Sequence, residues 1–343
     1  MPGGPDPRIC LVFLWHMHQP FYKELGSNRY QLPWTRLHAL KDYYGMVAML
    51  EAFPTIRQTF NLVPSMLVQI GEYARGEAGD PFLELALAPA ESLSPQDKEF
   101  ILKYFFQANH ERMIGRFARY RELFSDWQAS RAGQFTANDF RDLQVLSQLA
   151  WFDELVMDSD LRVQRLAAKG RNFTLDDQAE MGALQREFLA RVIPAYQLAA
   201  ARGQIEISVT PFYHPILPLL CDSDIARVAH PGVALPRRFS YPDDAARQIR
   251  LALDYAENLF GTRPAGMWPS EGSVSDQTLA IAARQGVRWM ASDNGVLGAT
   301  LHTLAGAWET YRPYRWSQGQ DALGLLFRDH FLSDLIGFVY SRM

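Results

Sequence analysis

The chain has 343 residues, 48% of them hydrophobic and 21% charged, with a formal net charge of −4. That length can bury one large core or two smaller ones, and the composition is that of an ordinary globular protein. Its mild acidity argues against a nucleic-acid partner, which wants a basic face, and no run approaches the ~18 apolar residues of a membrane span.

The N-terminus, Met-Pro-Gly-Gly-Pro-Asp-Pro-Arg, carries one late basic residue and is followed by no small-residue cleavage site. No secretory signal is expected, and a cytoplasmic location is. Cys10 and Cys221 show no zinc-like spacing and lie in apolar contexts, so both are expected as buried free thiols. The oligomeric state is not set by any feature of the sequence.

In chain order, Ile9 to Trp15 is a continuous apolar run rich in strand formers, the pattern of a buried parallel strand presenting His16 to Pro20 at its C-terminal end. A helix is expected over 38–53 and a second strand from Ile56 to Leu62. Ser94-Pro95 followed by Asp97 starts a helix, with Ser as cap and Pro in the first turn. Helices are then expected over 95–125, 137–157 and 175–201, so that about 71–201 reads as a large helical insertion. Gly203 stops the last of these, and Ile205 to Thr210 alternates as a strand. A helix follows from Asp243 to Phe260, then a short strand through Met267, a helix over 275–284 ending at Gly286, and a strand from Val287 that finishes at Asp293. Strands alternating with helices predict an α/β fold with a parallel sheet, and polar clusters at strand C-termini predict a barrel or doubly wound architecture.

Those clusters are His16-Met-His18-Gln19-Pro20, Glu206 with Pro211-Phe-Tyr-His214-Pro215, Trp268 with Glu271, and Ser292-Asp293-Asn294. Glu271 lies in Gly266-Met-Trp-Pro-Ser-Glu-Gly, beside a tryptophan and between glycines, and is expected not to be a solvated surface charge. A ring that packs on a pyranose face beside a carboxylate that meets an oxocarbenium ion is what cleavage of a sugar acetal needs. Convergence on one pocket would assemble tools for holding hydroxyls and splitting an acetal. Of His16 and His18, only one, His18, is expected to face the pocket. Glu206 is expected in the site or paired with an arginine, and His214 in the site or bracing its loop. Asp293 reads as a turn residue or a site residue, and Arg328-Asp329 as an ion pair. Arg36 and His38 read as substrate contacts or helix caps, Trp34, Trp289 and Trp316 as core, and Phe100, Tyr104 and Phe105 as helix packing.

Taken together, His-x-His-Gln-Pro, Gly-Gln-Ile-Glu before Pro-Phe-x-His-Pro-Ile-Leu-Pro, and Trp-Pro-Ser-Glu resemble glycoside hydrolase family 57. That family holds α-amylases, amylopullulanases, 4-α-glucanotransferases and branching enzymes. The resemblance runs through Pro33-Trp-Thr-Arg36-Leu-His38 and the tract Leu326 to Phe338, which resembles the amylopullulanase-like branch more than the branching enzymes. It implies an incomplete (β/α)7 barrel over 1–343, TIM-barrel-like, and a retaining mechanism with no metal and no cofactor. It also implies an α-glucan or maltooligosaccharide substrate. Glu271 falls on the nucleophile; His16, His18, Gln19, Arg36, Glu206, His214 and Trp268 fall in tracts that carry the resemblance and are expected to bind substrate, with Asp293, from its strand end, as a further candidate.

One element of the family pattern is missing. Its acid/base is an Asp in a later Asp-x-Glu-type motif, and no such motif occurs between Glu271 and Met343. Either the chain stops before its proton donor, being C-terminally incomplete, or Asp329, 329 − 271 = 58 positions on, takes that role. Two other functions fit parts of the pattern. One is a metal-dependent carbohydrate hydrolase, deacetylase- or α-mannosidase-like, with ligands among His16, His18, His214 and Asp293. The other is a glucan-binding fragment without turnover.

Overall fold

The computed structural model describes residues 10–27 and 29–340. The chain divides into two compact units: Met1–Pro20, Arg57–Met66 and Ala200–Met343 form one, and Phe21–Ile56 with Leu67–Ala199 form the other.

The first unit is built on a seven-stranded sheet of order β1-β2-β3-β4-β5-β7-β6. Its strands are β1 (Leu14–Met17), β2 (Gln58–Leu62), β3 (Ile205–Val209), β4 (Gly266–Met267), β5 (Trp289–Asp293), β6 (Tyr314–Gln318) and β7 (Asp321–Arg328). All neighbours run parallel except β6 and β7, which form an antiparallel hairpin not anticipated from the sequence. Its two-residue loop begins at Gly319 with φ 60°, the left-handed backbone that a tight hairpin turn needs at that position. The first strand starts later than the apolar run suggests. Leu11 and Val12 are exposed, Ile9 lies outside the described residues, and His16 belongs to the strand itself.

Register separates the two faces of this sheet. Val209, Met267 and Met290 are cross-strand partners on one face, and all are fully buried. They pack with Ala245, Ile249, Ala252, Leu253 and Ala256 of the helix Pro242–Phe260 and with Leu279 and Ala282 of the helix Asp276–Arg284. The i, i+3/i+4 spacing of those helical positions puts them on one stripe. Trimming Leu253 to Ala there costs about 2–5 kcal/mol. Gly261 in left-handed conformation ends the long helix, as expected of it. The opposite face carries His16, Asn61, Ser208, Gly266, Trp289 and Arg328 in successive strands, and it is polar.

The second unit is helical. Ser94 and Thr136 each close a capping box, with Asp97 and Asp139, at the starts of Pro95–Tyr104 and Ala137–Leu149. The helix expected over 95–125 is interrupted: Asn109 accepts from the Glu111 and Arg112 amides and begins a new turn, and Ala118–Gln128 is a separate helix. The helix expected over 137–157 ends at Leu149 because Asp153 caps another, Glu154–Ser159. Phe100, Tyr104 and Phe105 cluster on Phe82, as expected of packing residues. No helix among the described residues is long and apolar enough to cross a membrane. Cys221 is buried as expected, but Cys10 is exposed, because the strand begins only after it.

Candidate active site

Strand register brings three histidines together at the C-terminal end of the sheet. His16 lies in β1 opposite Asn61 of β2, and its Nδ1 stands 2.7 Å from Asn61 Oδ1. A carbonyl oxygen only accepts, so Nδ1 carries the proton and Nε2 presents a lone pair. Asn61 is fully buried and donates through Nδ2 to Ser208 Oγ at 3.1 Å. Thr210 Oγ1 lies 2.7 Å from Asn61 Oδ1 and 2.9 Å from the Trp268 carbonyl, its one proton serving one of them at a time. Asn61 therefore ties β2 to β1 and β3 beneath the histidines. The sequence signal for it was a buried amide in an otherwise apolar strand, Phe60-Asn61-Leu62-Val63.

His18 does not stand alone in the pocket. Residues two apart in a strand share a face, so His16 and His18 point the same way. Their ring centroids lie 5.7 Å apart, and both approach His214, at 5.4 Å from His16 and 3.7 Å from His18. His214 Nε2 is 3.3 Å from His16 Nε2. The turn that delivers His214 is closed by its own amide donating to the Pro211 carbonyl, with His214 at φ 61°. All three imidazoles are held toward the neutral form. Desolvation lowers His16 to about 4, even though one edge of the residue is open, and lowers His214 to about 3 with help from the other two histidines. His18 is lowered by desolvation, which the charge of Glu271 partly opposes.

Glu271 sits in the single turn Ser270–Gly272 with φ 56° and ψ 21°, followed by Gly272 at φ 67°. A non-glycine residue in that region stores about 1–3 kcal/mol of strain. The Glu271 side chain is 67% exposed, and its Oε1 lies 3.9 Å from His214 Nδ1. The backbone is constrained while the carboxylate is open to solvent, contrary to the expectation that the charge is not solvated. Trp268 is half-buried, 6.0 Å from the His16 ring, and Gly272 lies under its indole edge. Gln19 follows His18 and is half-buried.

Glu206 lies one layer lower. It pairs with Thr59, two residues before the Asn61 level and so about 6–7 Å toward the strand N-termini. Its carboxylate accepts from Trp289 Nε1 at 2.8 Å, so its partner is an indole and not an arginine. Trp289 lies on this polar face and is no core residue. Its indole crosses Gly266, where an added Cβ would meet it at 2.0 Å.

Three other expected residues have structural positions. Arg36 is fully buried in the helical unit, with Nε 3.1 Å from Asp80 and Nη1 2.7 Å from both Gln148 and Gln185, its guanidinium over the Trp151 ring. A side chain with no exposed surface cannot contact a sugar; Arg36 holds the interior of its unit. His38 pairs with Asp42 one turn on. Asp293 caps the helix Asn294–Leu301 and pairs with Arg328 at 2.8 Å and His330 at 3.1 Å. Burial works against its charge, but the Gly295 amide, His330 and Arg328 outweigh that and hold its carboxyl below the usual range.

Asp329 is not the partner of Arg328, which bonds Asp293 and Asp334 instead. Asp329 caps the helix His330–Asp334 through the Leu332 amide and accepts from the Tyr311 hydroxyl. Those two donors lower its pKa, where a proton donor at neutral pH needs a raised one.

No curated protein is a significant sequence match to this chain. Among solved structures, an α-amylase, AmyC from Thermotoga maritima, is 14% identical with a TM-score of 0.50, over 95% of this chain and 46% of that one. A 4-α-glucanotransferase from Thermococcus litoralis is 16% identical with a TM-score of 0.45, over 96% and 29%. A family 57 branching enzyme from Thermococcus kodakaraensis is 15% identical with a TM-score of 0.49, over 96% and 49%. The chain thus spans about half or less of the length of these proteins, and the first of them shares its fold, that of an incomplete (β/α)7 barrel. The family model for glycosyl hydrolase family 57 matches residues 12–343. With nearly every described residue inside that match, and its histidine, Trp268 and Glu271 motifs drawn to one end of the sheet, the chain belongs to glycosyl hydrolase family 57.

Proposed function

We propose that this chain carries the nucleophile of a retaining α-glucan hydrolase or transglycosidase, α-amylase- or amylopullulanase-like, with Glu271 in that role. The observation that supports this most directly is the strained, solvent-facing Glu271 beside neutral His18 and His214 and the Trp268 ring. A carboxylate reached from solvent can meet an anomeric carbon, and neutral imidazoles can donate to or accept from hydroxyls beside it. Trp268 offers an apolar face for the sugar ring.

In this reading His16, His18 and His214 bind the sugar next to the cut, Gln19 lines the approach, and Glu206 acts from below through Trp289. Asp293 shapes the rim through Arg328 and His330. Asp329 is left out as proton donor because its carboxyl is engaged as a helix cap. A glucan-binding role without turnover is the second reading, supported by that same engagement of Asp329. Product analysis on maltoheptaose separates them. Cleavage or elongation that disappears in Glu271→Gln supports the enzyme; saturable binding with no products supports the binder.

A further inference from the structure

Three imidazoles are packed closer at this site than hydrogen bonding to a sugar requires. His16, His18 and His214 each offer one ring nitrogen, and those nitrogens all lie within 4.8 Å of one another. Two imidazole nitrogens ~2.0–2.1 Å from a tetrahedral ion stand ~3.3–3.4 Å apart. His16 Nε2 and His214 Nε2 are separated by 3.3 Å.

The outer partners have the polarity a metal centre uses. Metal-bound histidines characteristically donate their second ring N–H to a carbonyl or carboxylate, which fixes the tautomer and aims the other nitrogen inward. His16 Nδ1 is held by the buried Asn61 carbonyl, leaving Nε2 toward its neighbours. His214 Nδ1 faces the Glu271 carboxylate at 3.9 Å, again leaving Nε2 inward. Without an ion, His214 Nε2–H can donate to the His16 Nε2 lone pair across 3.3 Å; with the His214 proton moved to Nδ1, both Nε2 lone pairs stand at the spacing that a shared cation takes. His18 is half-buried and stacked at 3.7 Å on His214, and its ring offers a third nitrogen within 4.8 Å of the other two.

We propose that His16, His18 and His214 form a three-nitrogen site for a borderline divalent cation of the zinc type, with the fourth position open beside Glu271. The donor set is all imidazole, which suits Zn²⁺, Cu²⁺ or Ni²⁺ and not the oxygen-seeking Mg²⁺ or Ca²⁺. Ion binding does not depend on the proposed glucan chemistry. That the ion competes with a sugar for the same imidazoles does rest on it.

The experiment titrates the metal-free chain with Zn²⁺ by calorimetry and with Co²⁺ by visible absorption. His16→Gln, His18→Gln and His214→Gln are measured beside it, with circular dichroism as the check on folding. One equivalent of Zn²⁺, an intense tetrahedral Co²⁺ spectrum, and at least tenfold weaker binding in each folded variant are expected. Asn61→Ala tests the outer partner, with binding weakened about 10–100-fold. An absence of one-to-one binding in the parent chain overturns the proposal, and so does undiminished binding in the folded histidine variants. Either result leaves the glycosidase reading standing, since Glu271 labelling is measured without metal.

Discussion

His214 and Glu271 face each other with Nδ1 3.9 Å from Oε1, and both hold left-handed backbone, at φ 61° and 56°. Two adjoining strained residues at the end of one sheet are a larger concession than either alone. Left-handed backbone costs a side-chain-bearing residue about 1–2 kcal/mol, and glycine escapes it.

Glu271→Gly is therefore expected to raise stability, by about 0.5–1 kcal/mol after the extra unfolded-state freedom of glycine is subtracted. It is expected to abolish activity at the same time. Urea denaturation paired with turnover checks this. A variant less stable than the parent contradicts the strain.

Gly266→Ala tests the crossing of Trp289 over β4. A Cβ there falls 2.0 Å from the indole, so the ring must leave Glu206 or the strands must part. Overpacking of this kind costs about 1–3 kcal/mol. The measurement is the urea midpoint, with tryptophan fluorescence reporting whether the indole has moved. Substitution at Gly232, which has open space around it, serves as the neutral control.

Arg36→Ala is expected to destabilise strongly, by about 3–5 kcal/mol, because it leaves Asp80 buried without its cation. A substrate-contact arginine on the surface would instead change the apparent affinity for glucan and leave folding alone. Chemical denaturation decides between these outcomes.

Asp293 sets an acid limb. Its folded pKa lies below the usual 3.8, so the stability it contributes is complete above that value and is lost as the pH falls through the lower folded one. Asp293→Asn is expected to flatten the fall in melting temperature below about pH 4. An unchanged acid limb would mean that the Arg328 and His330 contacts add no stability.

Much of this was legible in the sequence because strand and helix signals are local. The cap at Ser94, the stops at Gly203 and Gly261, and the strand end at Asp293 all lie where their own chemistry puts them. Less legible were features that depend on which strands become neighbours. The two early histidines act on one face because a strand repeats every two residues, yet only the arrival of His214 from β3 makes a cluster of them. Arg36 looks like a ligand when read beside His38. Its partners Asp80, Gln148 and Gln185 are distant in sequence, and no local pattern announces a buried cation. Asp329 follows an arginine in sequence but turns to cap a helix, and the arginine reaches Asp293 across the strand pair.

The most direct test of the account is covalent. The chain is incubated with an activated 2-deoxy-2-fluoro-α-maltosyl fluoride, whose departing fluoride needs little acid assistance, and its intact mass is followed. One glycosyl unit added to the parent chain is expected, located at Glu271 by peptide mapping, and none in Glu271→Gln. Equal labelling of the Glu271→Gln variant, or an adduct mapped to another carboxylate, would contradict it.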